Sequence, residues 1–320
     1  MIQSDPLHQK PALADDVPPG RGRRLAIIHN PVAGARRNGF FQSVVRRAQA
    51  LGCKVDIKET SAPGDATWLA RNISRDQADI IVVAGGDGTM NEVINGLSVE
   101  SPPLALIPTG TANVLAIEIG LRRNVEQVAA TLAWGLPRPF FPIQVEDRLC
   151  AMAVGIGYDA HIVANINPRL KRAVGKGAYI WQAIVEFTRF PFKPLTVATK
   201  DGVAVDATSV LIANGRHYAG RFCFAPDASI NRPEFFVCIL PGRRRWDLLR
   251  YIAALGAGRL HRLRDVSLSP CDEVTINLSA GEPLEIDGDP VSGPTAALAL
   301  RIRSADHAFD LIYPDAPDIP

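Results

Sequence analysis

The chain has 320 residues, of which 47% are hydrophobic and 21% charged, and a formal net charge of +2 at pH 7. That length accommodates two packed domains, the apolar content excludes a largely disordered chain, and the near-neutral balance gives no global case for nucleic acid as a partner. The cysteines Cys53, Cys150, Cys223, Cys238 and Cys271 are scattered, with neither C-x-x-C nor zinc-like spacing, which fits reduced thiols in a cytoplasmic protein.

Residues 1–23 are rich in Pro, Asp and Gly and lack an apolar stretch, so they read as a disordered tail and not as a signal peptide. No uninterrupted apolar run in the chain reaches the ~18 residues needed to span a bilayer. From Leu25 to about Leu136 strands and helices alternate. Strands are predicted at Leu25–His29, Val55–Thr60, Ile80–Ala84 and Leu104–Ile107. Helices are predicted near Phe40–Leu51, Asp65–Arg75, Met90–Leu97, Ala112–Ile119 and Val125–Trp134. This alternation predicts a parallel sheet covered by helices, with ligand at the carboxyl ends of the strands. After Pro137 the pattern changes to short strands of period about two, punctuated by Gly and Pro. They are predicted at Phe140–Val145, Leu149–Val154, Leu195–Thr199, Ser209–Ala213, Phe235–Leu240, Val274–Leu278, Leu284–Ile286 and Leu298–Ile302. An antiparallel β-sandwich is the expected architecture, interrupted by helices near Ala178–Arg189 and Trp246–Arg259. The expected organisation is an α/β domain over residues 24–137, a β-sandwich domain over 138–307 and a C-terminal strand and tail over 308–320.

The densest chemistry lies at Ile80 to Leu97. A buried apolar strand runs into Gly85-Gly86-Asp87-Gly88-Thr89, and a helical pattern follows with Val93, Ile94 and Leu97 on one face. Glycines at a strand-to-helix turn let backbone approach an anion closely, and the free N–H groups of the helix start point at it. Asp87 in that turn can hold Mg²⁺ or take a proton from an attacking hydroxyl. Neither a Walker-type G-x-x-x-x-G-K-[ST] nor a G-x-G-x-x-G after a strand is present. Other turns at strand ends, at Asn30, Thr60 and Thr109–Thr111, group with this one.

The stretch Gly85 to Leu97 resembles the GGDGTxNEVxNGL signature of the diacylglycerol kinase catalytic-domain superfamily, which includes bacterial soluble lipid kinases, sphingosine kinases and ceramide kinases. Further pieces follow in family order: Asn30-Pro31-Val32-Ala33-Gly34, Glu59-Thr60 with Gly64-Asp65-Ala66, and Pro108-Thr109-Gly110-Thr111-Ala112-Asn113. The second half matches more loosely, through Gly155 to Ala160, Leu170 to Tyr179, Ala213 to Tyr218 and Glu285 to Asp289. The resemblance covers roughly residues 24 to 313. It implies an NAD kinase- and phosphofructokinase-like parallel sheet, ATP and Mg²⁺ as cofactors, and a lipid alcohol such as diacylglycerol as acceptor. It also implies that the last strand, Phe309–Tyr313, returns to the first domain. A kinase for a sphingoid or non-lipid alcohol, and a nucleotide-binding regulator without transferase activity, are the alternatives.

The resemblance places Asn30, Thr60, Gly85, Gly86, Asp87, Gly88, Thr89, Asn91, Glu92, Gly110 and Thr111 around the nucleotide. Asn30 could equally cap its own turn, and Glu92 could serve only the helix dipole. Two carboxylates compete as general base. Asp87 stands where sphingosine kinases have theirs, and Asp289 where bacterial members carry a glutamate. Asp287-Gly288 is also a plain hairpin signal. Asp159 either lines the acceptor pocket or caps the next helix. Departures from the family pattern are Val114 for Asp, Ala219-Gly220-Arg221 in a glycine run, Asp289 for Glu, and Arg232 where bacterial members have an Asp that helps hold a structural Mg²⁺. The last implies loss of that metal site. His217, where the family has an aromatic, is expected to pack.

Between Pro241 and Arg264 lie seven arginines and one acid. With Trp246, Leu249, Ile252 and Leu260 they form a basic amphipathic segment, suited to an anionic membrane surface or simply to a solvated helix face. Peripheral contact at the inner membrane face is the expectation this raises. A homodimer is compatible with the sequence and not specified by it.

Overall fold

A computed structural model describes residues 22–33, 38–165, 176–199, 204–291 and 298–314. The expected N-terminal tail up to residue 21, Gly34, the Leu170 to Gly175 part of the second-half motif and residues 315–320 lie outside the described residues.

Three of the four parallel strands that begin the first sheet carry no exposed residue. Strand β1 (Arg24–His29) lies between β2 (Lys54–Glu59) and β3 (Ile80–Gly85), and β4 (Leu104–Pro108) follows on the far side of β3, all parallel. Strands β3 and β4 are buried along their whole length, which explains their continuous apolar sequence, since both faces of a parallel sheet are covered by helices. The covering helices are α1 (Asn38–Ala50), α2 (Asp65–Arg71), α3 (Asp87–Ile94), α4 (Val114–Glu118) and α5 (Val125–Trp134). Two further strands complete this sheet, β20 (Phe309–Tyr313) beside β4 and β5 (Leu136–Phe140) at the edge.

Strand β5 corrects the expected strand at Phe140–Val145. Residues Leu136 to Phe140 pair antiparallel with Tyr313 to Phe309, and only β6 (Ile143–Val145) enters the second domain. Its sequence, Leu-Pro-Arg-Pro-Phe, suits an edge position, because proline offers no N–H to a further strand.

The second domain stacks two antiparallel sheets. One has the order β10 (Ala204–Ala207), β9 (Leu195–Thr199), β16 (Glu273–Leu278), β19 (Leu298–Ser304), β6, β7 (Arg148–Cys150). The other has the order β15 (Ser267–Cys271), β14 (Phe235–Leu240), β11 (Ser209–Ala213), β8 (Ala153–Ile156), β17 (Leu284–Ile286), β18 (Asp289–Val291). Between them Val145, Val154, Ile156, Val197, Ile212, Val237, Ile276 and Ile302 form a common core. Phe236, Cys238 and Leu240, on the opposite face of β14, pack with Tyr251 and Leu260. The helices of this half are α6 (Tyr158–Asn165), α7 (Lys176–Arg189) and α8 (Arg245–Gly256).

The expected strand Leu149–Val154 is two strands, and Asp287 is the reason. Its carboxylate accepts N–H groups from Ala151 (2.7 Å), Met152 (2.7 Å) and Ala153 (3.1 Å) and the Cys150 thiol (3.3 Å). Backbone donors aimed at a side chain cannot serve a sheet ladder, so pairing stops between β7 and β8. The same carboxylate accepts the Asn91 amide of α3 at 2.7 Å, tying the two domains together. Asn91 and Asn95 also donate to the Leu149 carbonyl, and the Leu149 N–H donates back to Asn95. Asp287→Ala should therefore cost at least about 3 kcal/mol, since buried donors lose a charged acceptor. Equilibrium denaturation measures this, and a loss below about 1 kcal/mol would mean the clasp is incidental.

Candidate functional site

The glycine turn is tighter than the sequence suggested. Strand β3 continues through Gly85, Gly86 is extended, and α3 begins at Asp87 and not at Met90. Gly85 and Gly110 are required by space. A methyl at Gly85 would sit 2.5 Å from the Thr89 side chain, and one at Gly110 would sit 2.3 Å from the Gly86 Cα. Both Thr109 and Gly110 donate their N–H groups to the Gly85 carbonyl at 3.1 Å. The two turns after β3 and β4 are thus locked back to back, and the N-terminus of α3 stands at the carboxyl end of the sheet. Asn30 closes a third side. Its amide donates to Thr89 Oγ1 at 3.1 Å, while its carbonyl caps Val32 and Ala33. The capping reading of Asn30 is realised, and the same side chain also ties its turn to Thr89. Thr60 follows β2, its N–H donating to the His29 carbonyl, and Thr111 is exposed beside Gly110.

Asp87 points into this junction and is already engaged. Its two oxygens accept the N–H groups of Asn113 (2.9 Å) and Val114 (2.6 Å), capping α4. Asn113 adopts a left-handed conformation, φ 52°, to present both donors. Burial pushes the Asp87 carboxyl up to about 6, against the pull of the Val114 N–H, and the Asp287 charge adds to the rise. A cation beside Asp87 would relieve both effects. Among the described residues no cluster of three or more His, Cys, Asp or Glu forms a metal cage. A lone carboxylate at a turn is the kind of ligand that holds Mg²⁺ together with phosphate oxygens. ATP fits the turn for a parallel reason, because the start of an eight-residue helix favours a phosphate by its dipole and its backbone donors.

The second domain reaches the same point. Asp287 (φ 52°) and Gly288 (φ 82°) form the two-residue loop of a hairpin in which Ile286 pairs with Asp289. The Asp-Gly hairpin signal is therefore correct, and the hairpin delivers Asp289 to the glycine turn. A methyl at Gly88 would lie 3.0 Å from Asp289 Oδ2. Asp289 is exposed, and its short side chain reaches the turn without further closure of the domains.

Under this hairpin lies a pair of acids. Glu285 is 2% exposed and its Oε2 accepts the Gly288 N–H at 2.6 Å. Its Oε1 and Asp159 Oδ2 are sealed from solvent and converge on Gly155, where a methyl would meet them at 2.7 and 2.5 Å. Asp159 also takes a hydrogen bond from Tyr218 and sits in the first turn of α6. Burial, and then the charge of Asp159, hold Glu285 well above the usual carboxylate range, and burial raises Asp159 too. The pair shares a proton. In the unfolded chain Glu285 titrates at about 4.3, so above that pH the folded state binds the extra proton and stability falls as pH rises towards the folded value. Glu285→Gln keeps the oxygen for Gly288 and gives Asp159 an N–H. The variant should lose less melting temperature than the wild type between pH 5 and 8. Equal slopes in calorimetry would contradict a shared proton.

Two residues expected beside the nucleotide have partners within the protein itself. Asn91 spends its amide on the domain junction described above. Glu92 Oε2 accepts the N–H groups of Gly64 (3.0 Å) and Ala66 (3.2 Å), capping α2. His217, expected to pack, instead meets Glu118 Oε2 through Nδ1 at 2.6 Å. Arg232 pairs with Glu234 at 3.2 Å, and the Asn231 side chain bonds Pro139 and Tyr313. Asp287 was quoted in the sequence only as part of a motif. Its acceptor load depends on residues 134 or more positions away, which no local signal reveals.

Residues 24–145 match the family described as Diacylglycerol kinase catalytic domain, and residues 152–307 match the YegS C-terminal NAD kinase beta sandwich-like domain. The protein belongs to the diacylglycerol kinase catalytic-domain superfamily. Its order of domains is that of the YegS-like lipid kinases. "Diacylglycerol kinase" of Bacillus subtilis (strain 168) is 27% identical over 274 residues, covering 83% of this chain and 90% of the relative. "Probable lipid kinase YegS-like" of Pseudomonas putida is 28% identical over 303 residues, 92% and 96% of the two chains. The crystal structure of a diacylglycerol kinase from Bacillus anthracis str. Sterne shares the fold, with a TM-score of 0.68 at 19% identity over 91% of this chain and 96% of that one. Membership carries phosphotransferase chemistry on an alcohol acceptor at the level of the family.

Proposed function

We propose that the protein is an ATP- and Mg²⁺-dependent lipid kinase that phosphorylates a hydroxyl of a lipid alcohol such as diacylglycerol. The observation that carries this reading is the approach of Asp289, from the sandwich domain, to Gly88 in the glycine turn. A glycine turn at a helix start and an exposed carboxylate standing beside it are the two halves of a phosphoryl-transfer site. Gly86, Gly88 and Thr89 orient the phosphates by backbone and hydroxyl donors. Asp87 holds the cation and, through Asn113 and Val114, the neighbouring turn. Asp289 takes the proton of the acceptor hydroxyl, and Asp159 with Glu285 shapes the floor of the acceptor side. ATP with Mg²⁺ supplies the phosphoryl group and the charge neutralisation that transfer needs. The test is transfer of radiolabelled γ-phosphate to lipid alcohols in mixed micelles. Labelled phosphorylated diacylglycerol is the expected product, and label confined to sphingoid bases or to water-soluble alcohols would favour the corresponding alternative.

A lipid acceptor requires access to a membrane, and no helix among the described residues is long and apolar enough to cross one. We propose that α8 docks on an anionic surface. Its inner face buries Leu248 and Tyr251, and its outer face shows Trp246, 78% exposed, with Leu249 and Ile252. Arg250 is tied to Asp265 by two bonds, while the other arginines of the segment flank the apolar stripe. Trp246→Glu with Leu249→Glu should weaken binding to anionic vesicles about tenfold or more. Unchanged co-sedimentation would contradict docking through this face.

A further inference from the structure

At the end of α4 remote from Asp87 lies a second, open groove of about 920 Å³. It has the size of a small-molecule site. Arg122, Arg138, Arg216 and Arg232 line it, against the carboxylates of Glu118 and Asp227. Three of these guanidinium groups are held in place, two of them by one edge. Arg138 lies over the Tyr313 ring at 4.8 Å, Arg216 donates Nε to Glu118 at 3.2 Å, and Arg232 donates Nη1 to Glu234 at 3.2 Å. A guanidinium has five N–H donors in a rigid fork, so one anchored edge leaves further donors pre-positioned. The Arg216 and Arg232 side chains are 50% and 64% exposed.

Glu118 offsets one of these charges from within the wall of the groove. It is 8% exposed, and its oxygens are taken up by Arg216, by the His217 backbone N–H and by His217 Nδ1. Gly215 permits the arrangement, since a methyl there would stand 2.8 Å from the Glu118 carboxyl carbon. With Glu118, Asp227 and the Glu234 partner of Arg232 counted, four guanidinium groups face three carboxylates, so a small excess of positive charge with forked donors remains, in a groove separate from the glycine turn. Such donors match the oxygens of a dianionic phosphate, which carries nearly two charges at neutral pH.

We propose that this groove binds a phosphomonoester, either free in solution or as the headgroup of a phosphorylated lipid. The proposal rests on the groove alone and stands or falls apart from the kinase reading.

The experiment compares wild type with Arg122→Gln/Arg232→Gln, both full length. Calorimetric titration with inorganic phosphate and with glycerol 3-phosphate reports the soluble source. Co-sedimentation with vesicles carrying a lipid phosphomonoester, against vesicles of equal charge made with phosphodiester lipids, reports the lipid source. The glycine turn is intact in both proteins, so any difference belongs to the groove, and an unchanged melting temperature without ligand shows that the variant is folded. Loss of at least tenfold in affinity, about 1.4 kcal/mol, is expected for one or both sources, and the pattern identifies which. Should the double variant fail to fold, Arg232→Gln alone is expected to weaken binding in the same direction. Equal affinities in wild type and variant for every probe, or no binding by wild type at about 10 mM phosphate and no preference for the phosphomonoester vesicles, would overturn the proposal.

Discussion

Asp289→Asn should abolish phosphoryl transfer while leaving ATP affinity and melting temperature close to wild type. The residue is exposed at the first position of β18 and contributes little to packing, so its removal has no large structural cost. An amide cannot accept the acceptor proton, and general-base catalysis contributes typically two to four decades. The residue stands on the acceptor side of the cleft, so nucleotide binding by the glycine turn is preserved. Asp289→Glu should retain measurable transfer, because the carboxylate still lies over Gly88. Steady-state kinetics with a binding titration separates the effects. Wild-type transfer by Asp289→Asn would leave Asp287-Gly288-Asp289 as a hairpin turn only, with Asp87 as the remaining candidate base.

Asp87→Asn should lower transfer by two or more decades, for a different reason. Here the cation and the positioning of the 109–114 turn are disturbed together. One carboxylate oxygen becomes an amide nitrogen facing a backbone N–H, either Asn113 or Val114. Loss of that cap costs about 1 kcal/mol, partly offset by release of a buried charge whose carboxyl is already pushed up to about 6. A small fall in melting temperature with a large fall in kcat is the expected combination. A folded Asp87→Asn protein with near-wild-type turnover would remove Asp87 from the site.

Much of this was legible in residues, and the boundary of legibility is physical. Strands β3 and β4 are buried on both faces, so their sequences are unbroken apolar runs, and Gly85 and Gly110 at their ends are compelled by contacts under 3 Å. Helix α5 matches its predicted span, Val125–Trp134, with the Asn124 side chain accepting the Gln127 N–H as cap. Polar side chains were read less well because their partners are not local. Glu92 stands in α3 but serves α2, and Asn91 stands in the glycine-turn motif but serves the second domain. The break between β7 and β8 depends on Asp287, and the two prolines of β5 mark an edge that could be placed only once β20 was seen to return beside it.

The most direct measurement is a crystal structure with Mg²⁺ and an ATP analogue whose terminal phosphate cannot be transferred. The terminal phosphate should lie against the backbone N–H groups of Gly88 and Thr89, with the cation on Asp87 and the Asp289 carboxylate on the opposite side of the phosphorus. A nucleotide bound away from Gly86–Thr89, or an Asp289 carboxylate farther than about 6 Å from the terminal phosphate and so beyond reach even through one water, would contradict a transfer site built from both domains.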